Sequence, residues 1–182
     1  MTASTTEIPG YIPGTWKIDS THSDVDFVVR HLGVSKVRGR FAEVEGEIVT
    51  ASEITESTVT AVIKADSIDT KNADRDAHVK NADFLDVEQF PTLTFVSTGV
   101  RAEDGEYLID GDLTVHGVTK PVTLETEIGG FADGMTEGSK VFGISATTEI
   151  KRSDFGVGAS APNAVLADKI KIELNIEAVL QA

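Results

Sequence analysis

The segment KIKIELNIEAVL near the end of the chain alternates without a break. Ile170, Ile172, Leu174, Ile176, Ala178 and Leu180 share one parity, with Lys171, Glu173, Asn175 and Glu177 on the other. Side chains of a strand point to opposite faces in turn, so this pattern demands a long β-strand with one apolar and one polar face. Such a strand cannot stand alone in water; it needs paired neighbours built the same way.

The rest of the chain supplies them. HSDVDFVVRHL sets Val25, Phe27, Val29 and His31 against Asp24, Asp26, Val28 and Arg30, and KVRGRFAEVEGEIV sets Val37, Gly39 and Phe41 against Lys36, Arg38 and Arg40. TVTAVIKADSI alternates through Val59, Ala61, Ile63 and Ala65, and TLTFVSTGVRA through Leu93 and Phe95. Asp104-Gly105 marks a hairpin turn into EYLIDGDLTVHG, where Leu113 lies. KPVTLETEIGGF places Val122, Leu124, Thr126 and Ile128 together, and VFGISATTEIKR places Phe142, Ile144, Ala146, Thr148 and Ile150 together. Gly39 and Gly46 predict sharp bending or a bulge in their strand. Many short strands between turn signals make an all-β barrel or sandwich. One interval breaks the period: NADRDAHVKNADFLDVEQFP predicts a helix at about 73–82, capped by Asn72 or Asp74 and stopped before Pro91. Residues 1–14 read as an arm, pinned by Tyr11 and Ile12, and residues 15–182 as one domain.

Composition narrows the function. The net charge of −14 repels phosphate backbones and anionic lipid headgroups, which argues against a nucleic-acid partner. With no cysteine there is neither a disulfide framework nor a thiolate metal site. No stretch is long and apolar enough to span a bilayer, so no stable membrane insertion is expected. The first residues show no basic start and no apolar run of signal-peptide length, from which a cytoplasmic location is expected.

Chemistry-bearing motifs are sparse. The four histidines, at positions 22, 31, 78 and 116, follow no metal-ligand spacing, and no metal is expected. Asp19, His22 and Ser23 suggest a hydrolase, but His22 and Ser23 would point to opposite faces of an extended chain, and there is no nucleophile elbow. No glycine-rich phosphate loop is present. His31 shares a face with Val25, Phe27 and Val29; it is either a hydrogen-bonded core residue or the polar contact that orients a ligand, and alternation does not choose. The run from Arg30 through Lys36 and Arg38 to Arg40 contains no acid. It reads as a solvated outer face or as a local positive field at a barrel rim, with Arg30, Arg38 and Arg40 as candidate headgroup contacts. Lys151 and Arg152 form a smaller patch.

Taken in order, four passages resemble the YceI-like family: TWKIDSTHSDVDFVVRHLGVSKVRGRF, NADFLDVEQFPTLTF, GDLTVHGVTKPVTL, and IKRSDFGVG with the strand after Asp168. Together they run from about residue 15 to 180. The resemblance implies an extended antiparallel eight-stranded barrel, similar to lipocalins, with a deep apolar channel for a polyisoprenoid chain or the isoprenoid tail of a quinone. It also implies that homodimers are common. Phe27, His31, Phe41, Phe95, Leu113 and Phe155 are then the candidate channel wall, Phe155 on the family motif alone. The expected function is binding, storage or transport of an isoprenoid lipid such as a polyprenyl phosphate, without catalysis and without a further cofactor. Two rivals stand beside it: an enzyme using His31 or His116 as acid–base, and a stress or interaction protein with a filled barrel.

Overall fold

The alternating segments form one continuous antiparallel sheet in a computed structural model that describes residues 8–181; residues 1–7 of the expected arm lie outside the described residues. The elements are β1 (Gly14–Ile18), β2 (Asp24–His31), β3 (Ser35–Phe41), β4 (Val44–Thr50), β5 (Thr58–Lys64), β6 (Ile68–Asp69), α1 (Ala73–Lys80), β7 (Thr92–Glu103), β8 (Glu106–Val115), β9 (Val118–Asp133), β10 (Lys140–Lys151) and β11 (Leu166–Leu180). Pairing runs β1-β4-β5-β7-β8-β9-β10-β11, and β11 pairs back onto β1, closing an eight-stranded barrel. Closure leaves no strand of this ring with a wholly free edge.

Three short strands lengthen the barrel on one side. β2 continues β1, β3 precedes β4, and β6 continues β5; β2 pairs with β11 and β3, and β3 with β6. Two serine hydroxyls mend the ladder at the breaks. Glu177 N donates to Ser23 Oγ at 3.1 Å, and Glu43 N donates to Ser67 Oγ at 3.1 Å. The break in the second stave lies at Ala42–Glu43, between β3 and β4, rather than at the glycines expected to cause it. Those glycines serve close packing: a Cβ at Gly46 would lie 2.3 Å from the Thr60 carbonyl oxygen, and one at Gly39 only 2.2 Å from Phe27 Cζ.

Tight turns set the register. Asp104-Gly105 joins β7 to β8 with φ of 49° and 82°, and His116-Gly117 joins β8 to β9 with φ of 54° and 73°. Two successive left-handed residues match the twist of the strands they join. The β2–β3 hairpin turns through Leu32, Gly33 and Val34, with Leu32 at φ 55° and Gly33 at 71°.

Each end of the barrel is covered. At one end Trp16, fully buried, meets Phe142 edge-on at 4.7 Å, and Phe131 stacks on Phe142 at 4.8 Å. Trp16 Nε1 donates to Thr50 Oγ1 at 2.9 Å, whose hydroxyl donates to the Ile12 carbonyl at 2.7 Å. Tyr11 donates its hydroxyl to the Ala51 carbonyl at 2.6 Å and sets its ring edge-on to Phe131, which ties residues 8–13 to this end. At the other end lie α1 and the β10–β11 connection. Asn72 Oδ1 caps the helix by accepting from Arg75 N at 3.0 Å, with Asp74 and Asp76 in the first turn and His78 and Lys80 in the last, as the helix dipole favours. The helix ends two residues short of the expected 82, because the chain turns at Asn81 to bury Leu85. No helix among the described residues is long and apolar enough to cross a membrane.

Candidate ligand-binding site

The interior is built by register. On β11, Ile170, Ile172 and Leu174 sit opposite Val29, Phe27 and Val25 of β2, and on their other side opposite Ile150, Thr148 and Ala146 of β10. β11 is paired along both edges, so an inward side chain on it reaches solvent chiefly through the bore. Ile170, Ile172, Leu174 and Ile176 are all only half-buried. Phe27, Val122, Ile144 and Ile150 are half-buried too, while Leu93, Phe95, Ile109 and Leu113 on the facing staves are buried. Accessible apolar surface therefore follows the β2, β11, β10 and β9 side of the barrel, with a further share on β5 at Val59, Ala61 and Ile63.

Two of the candidate wall aromatics, Phe27 on β2 and Phe95 on β7, lie over glycines of a neighbouring strand. Phe27 covers Gly39, its paired residue on β3, and Phe95 covers Gly111 on β8, where a Cβ would meet Phe95 Cζ at 2.4 Å. A ring laid over a neighbouring glycine fills the wall without crossing the bore. Phe41 tilts against Phe27 at 5.7 Å, and Leu113 pairs with Phe95. Phe155 is buried in a short 3-10 turn after β10, at the helix end. His31, half-buried, closes β2 opposite Leu166 and Ser35. Arg30, Arg38 and Arg40 are exposed and alternate with Val29, Val37, Gly39 and Phe41, so they line the outside of the barrel; Arg38 Nη1 lies 3.6 Å from Glu173 Oε2.

Closure is least complete along β9. Its residues 118–126 pair with β8 and its residues 125–133 with β10, so only Glu125 and Thr126 are paired on both sides. A bulge at Gly129 shifts the register with β10. Where β8 and β9 separate, a cavity of about 640 Å³ opens between the Gly105–Tyr107 hairpin and Thr126–Phe131, flanked by Ile8 and Pro9. On the other side of β9, the edge from Thr119 to Leu124 faces the end of β10 with no ladder between them.

A cover spans the helix end. The connection from Arg152 to Val165 touches α1's following turn through Gly158 N, which donates to the Asp83 carbonyl at 3.0 Å, and the β2–β3 hairpin through Leu32 N, which donates to the Val165 carbonyl at 2.8 Å. His116 Nδ1 lies 3.1 Å from the Phe155 carbonyl, and its ring meets Phe90 edge-on. Arg152 organises this cover. It is buried, not part of a surface patch with Lys151, and its guanidinium donates to the carbonyls of Val157, Gly158, Ala161, Leu166 and Ala167 and to Asn163 Oδ1. Carbonyl dipoles supply all its hydrogen bonds but that to Asn163, and the Asp168 carboxylate adds a charge interaction.

The polar cluster on the outer wall joins His22 to two carboxylates and leaves Ser23 apart from it. His22 Nδ1 lies 2.8 Å from Asp19 Oδ2 and 3.3 Å from Glu177 Oε2. The bond to His22, helped by Thr21, lowers the Asp19 carboxyl to about 2, while Asp19 and then Glu177 raise His22. Ser23 is buried and bonds the Glu177 backbone, so it does not join His22. Asp19, His22 and Glu177 offer one imidazole and two carboxylates within reach of one divalent ion, although they satisfy one another as they stand.

The family profile for the YceI-like domain matches residues 16–178. The chain belongs to the YceI-like family. It is 37% identical over 174 residues to the protein YceI of Salmonella arizonae and to that of Salmonella paratyphi B, covering 93% of this chain and 89% of each relative. The YceI protein of Campylobacter jejuni has the same fold, with a TM-score of 0.76 at 32% identity over 84% of this chain and 90% of that one. A polyisoprenoid binding domain from Saccharophagus degradans shares the fold alone, with a TM-score of 0.68 at 15% identity, covering 93% of this chain and all of that domain.

Within this YceI-like barrel, the surface position expected for Arg152 is the clearest miss of sequence reasoning. Its parity was legible: Phe142, Ile144, Ala146, Thr148 and Ile150 run directly into it. Glu177 carried no local signal toward His22, because the barrel brings it there from a strand at the far end of the chain.

Proposed function

We propose that this protein binds a long, slender apolar ligand of the isoprenoid class inside its barrel, as a carrier or store and without turnover. The observation that carries the reading is the inner face of β11, where four successive aliphatic side chains retain solvent contact within a closed barrel. Phe27 and Phe95, flattened over glycines, keep their rings out of the bore. Each methylene withdrawn from water contributes about 0.8 kcal/mol, so several isoprene units supply ample affinity without a strong polar contact, less the loss of tail freedom. The likeness to a polyisoprenoid binding domain supports the same ligand class. Entry along β9, where the wall is held on both sides only at Glu125 and Thr126, would spare the covers at both ends. A polyprenyl phosphate would leave its headgroup outside the wall, where Arg30 is the candidate nearest the rim.

The test is an organic extract of protein purified without detergent, analysed by mass spectrometry, with uptake of a polyprenyl or quinone probe measured in parallel. A stoichiometric isoprenoid or saturable uptake is expected. No lipid and no uptake would remove the proposal and favour a barrel with a filled interior.

A further inference from the structure

Three of the seven large apolar side chains exposed among the described residues meet at one rim. Val34 is 82% exposed, Leu32 55% and Val165 41%, and Leu32 N donates to the Val165 carbonyl at 2.8 Å. Neither the turn nor the core calls for a leucine at position 32. Its φ of 55° is left-handed, where asparagine or glycine is at ease and leucine is strained.

Behind this rim runs a row of cations on the outer wall. Lys151 pairs with Lys169 across β10 and β11, and Arg30 pairs with Lys36 across β2 and β3. Ile170 stands opposite Val29 as the last pair before the register of β11 on β2 shifts, which brings Lys169 and Arg30 to the same end of the wall. Like charges directly opposite one another destabilise a sheet, and none of these four has an ion pair among the described residues. The nearest acids offset the row only in part: Asp168, held by the Ser153 backbone and hydroxyl, also feels the charge of Lys151, and Asp154 lies in the 3-10 turn beyond β10. In a chain of net charge −14, a row of four cations without an ion pair beside three bare apolar side chains is a local inversion.

We propose that the Leu32–Val34 turn and Val165, with Arg30, Lys36, Lys151 and Lys169 behind them, dock the protein on the surface of an anionic lipid bilayer. The apolar tips enter the interface between headgroups and acyl chains, and the cations meet lipid phosphates. Charge complementarity selects the partner, since the remainder of so acidic a surface is repelled. The surface lies outside the barrel and does not depend on what fills the bore.

Co-sedimentation of the whole chain with vesicles tests this. Binding is expected to vesicles of phosphatidylcholine with phosphatidylglycerol, not to phosphatidylcholine alone, and at about 0.01 M salt but not at about 1 M, where the screening length falls from roughly 30 to 3 Å. Leu32→Asn with Val34→Ser should abolish binding without lowering the thermal midpoint, because asparagine accepts the left-handed turn. Lys36→Gln with Lys169→Gln should weaken it about fivefold per charge removed. No binding to the anionic vesicles at low salt would overturn the proposal. So would binding that survives both pairs of substitutions, which would place the contact on another face. Loss of self-association in place of vesicle binding would assign the patch to a second copy of the chain and equally overturn it.

Discussion

Phe27 lies so close over Gly39, its paired residue on the neighbouring strand, that a Cβ at position 39 would sit 2.2 Å from the ring's Cζ. The two positions therefore act as one unit of the wall. Gly39→Ala must push the ring off the wall and toward the bore. Overpacking of this kind costs roughly 1–3 kcal/mol. The expected outcome is a lower urea midpoint together with reduced uptake of an apolar probe. Restored uptake in the double variant Gly39→Ala, Phe27→Leu would show that the ring itself is the obstruction.

Arg152 holds the cover at the helix end by its hydrogen bonds to carbonyls. Arg152→Met leaves several buried acceptors without a donor, each worth about 1–3 kcal/mol. A loss of roughly 3–5 kcal/mol is expected overall, because more than one buried acceptor is orphaned at once. Denaturant unfolding measures the loss. Hydrogen exchange should localise it, with faster exchange in residues 153–166 and little change at the Trp16 end.

Much of this architecture was legible because its cause is local. Alternation in KIKIELNIEAVL and its relatives fixes which side chains face inward, so the direction of Phe27, Phe41, Phe95 and Leu113 follows from parity alone. Phe155 has no such periodicity, since it sits in a 3-10 turn, and only the family resemblance pointed to it. The stagger of β9 between β8 and β10 was not legible, because it depends on how two other strands are aligned. The His116-Gly117 turn is harder to see than Asp104-Gly105, because histidine is not among the residues that usually open such a turn, although both pairs adopt the same left-handed geometry.

The Asp19–His22 pair predicts a stability contribution confined to a window of pH. Asp19 is lowered to about 2 from 3.8, so its contribution is complete above the ordinary value and disappears as pH falls through about 2. His22 is raised above 6.5, so its contribution is complete below that value and disappears as pH rises through the raised one. The destabilisation caused by His22→Ala should therefore be greatest at about pH 4–6 and shrink on both sides. Thermal midpoints of the two proteins across roughly pH 2–9 check this; a difference independent of pH would refute the ion pair.

Thr50 serves both Trp16 and the segment that approaches β1, accepting from the indole and donating to the Ile12 carbonyl. Thr50→Val keeps the shape and removes both bonds. A loss of about 1–3 kcal/mol is expected. Emission of Trp16, the chain's single tryptophan, should report the change at the aromatic end.

The bore along β11 can be blocked directly by Ile172→Trp, which places a large ring opposite Phe27 and Thr148 in the middle of the accessible face. Saturable uptake of a polyprenyl probe by the unaltered protein, and its loss in a variant that remains folded, is the result predicted here. Equal uptake by both proteins would put the ligand somewhere other than inside the barrel and would contradict the account at its centre.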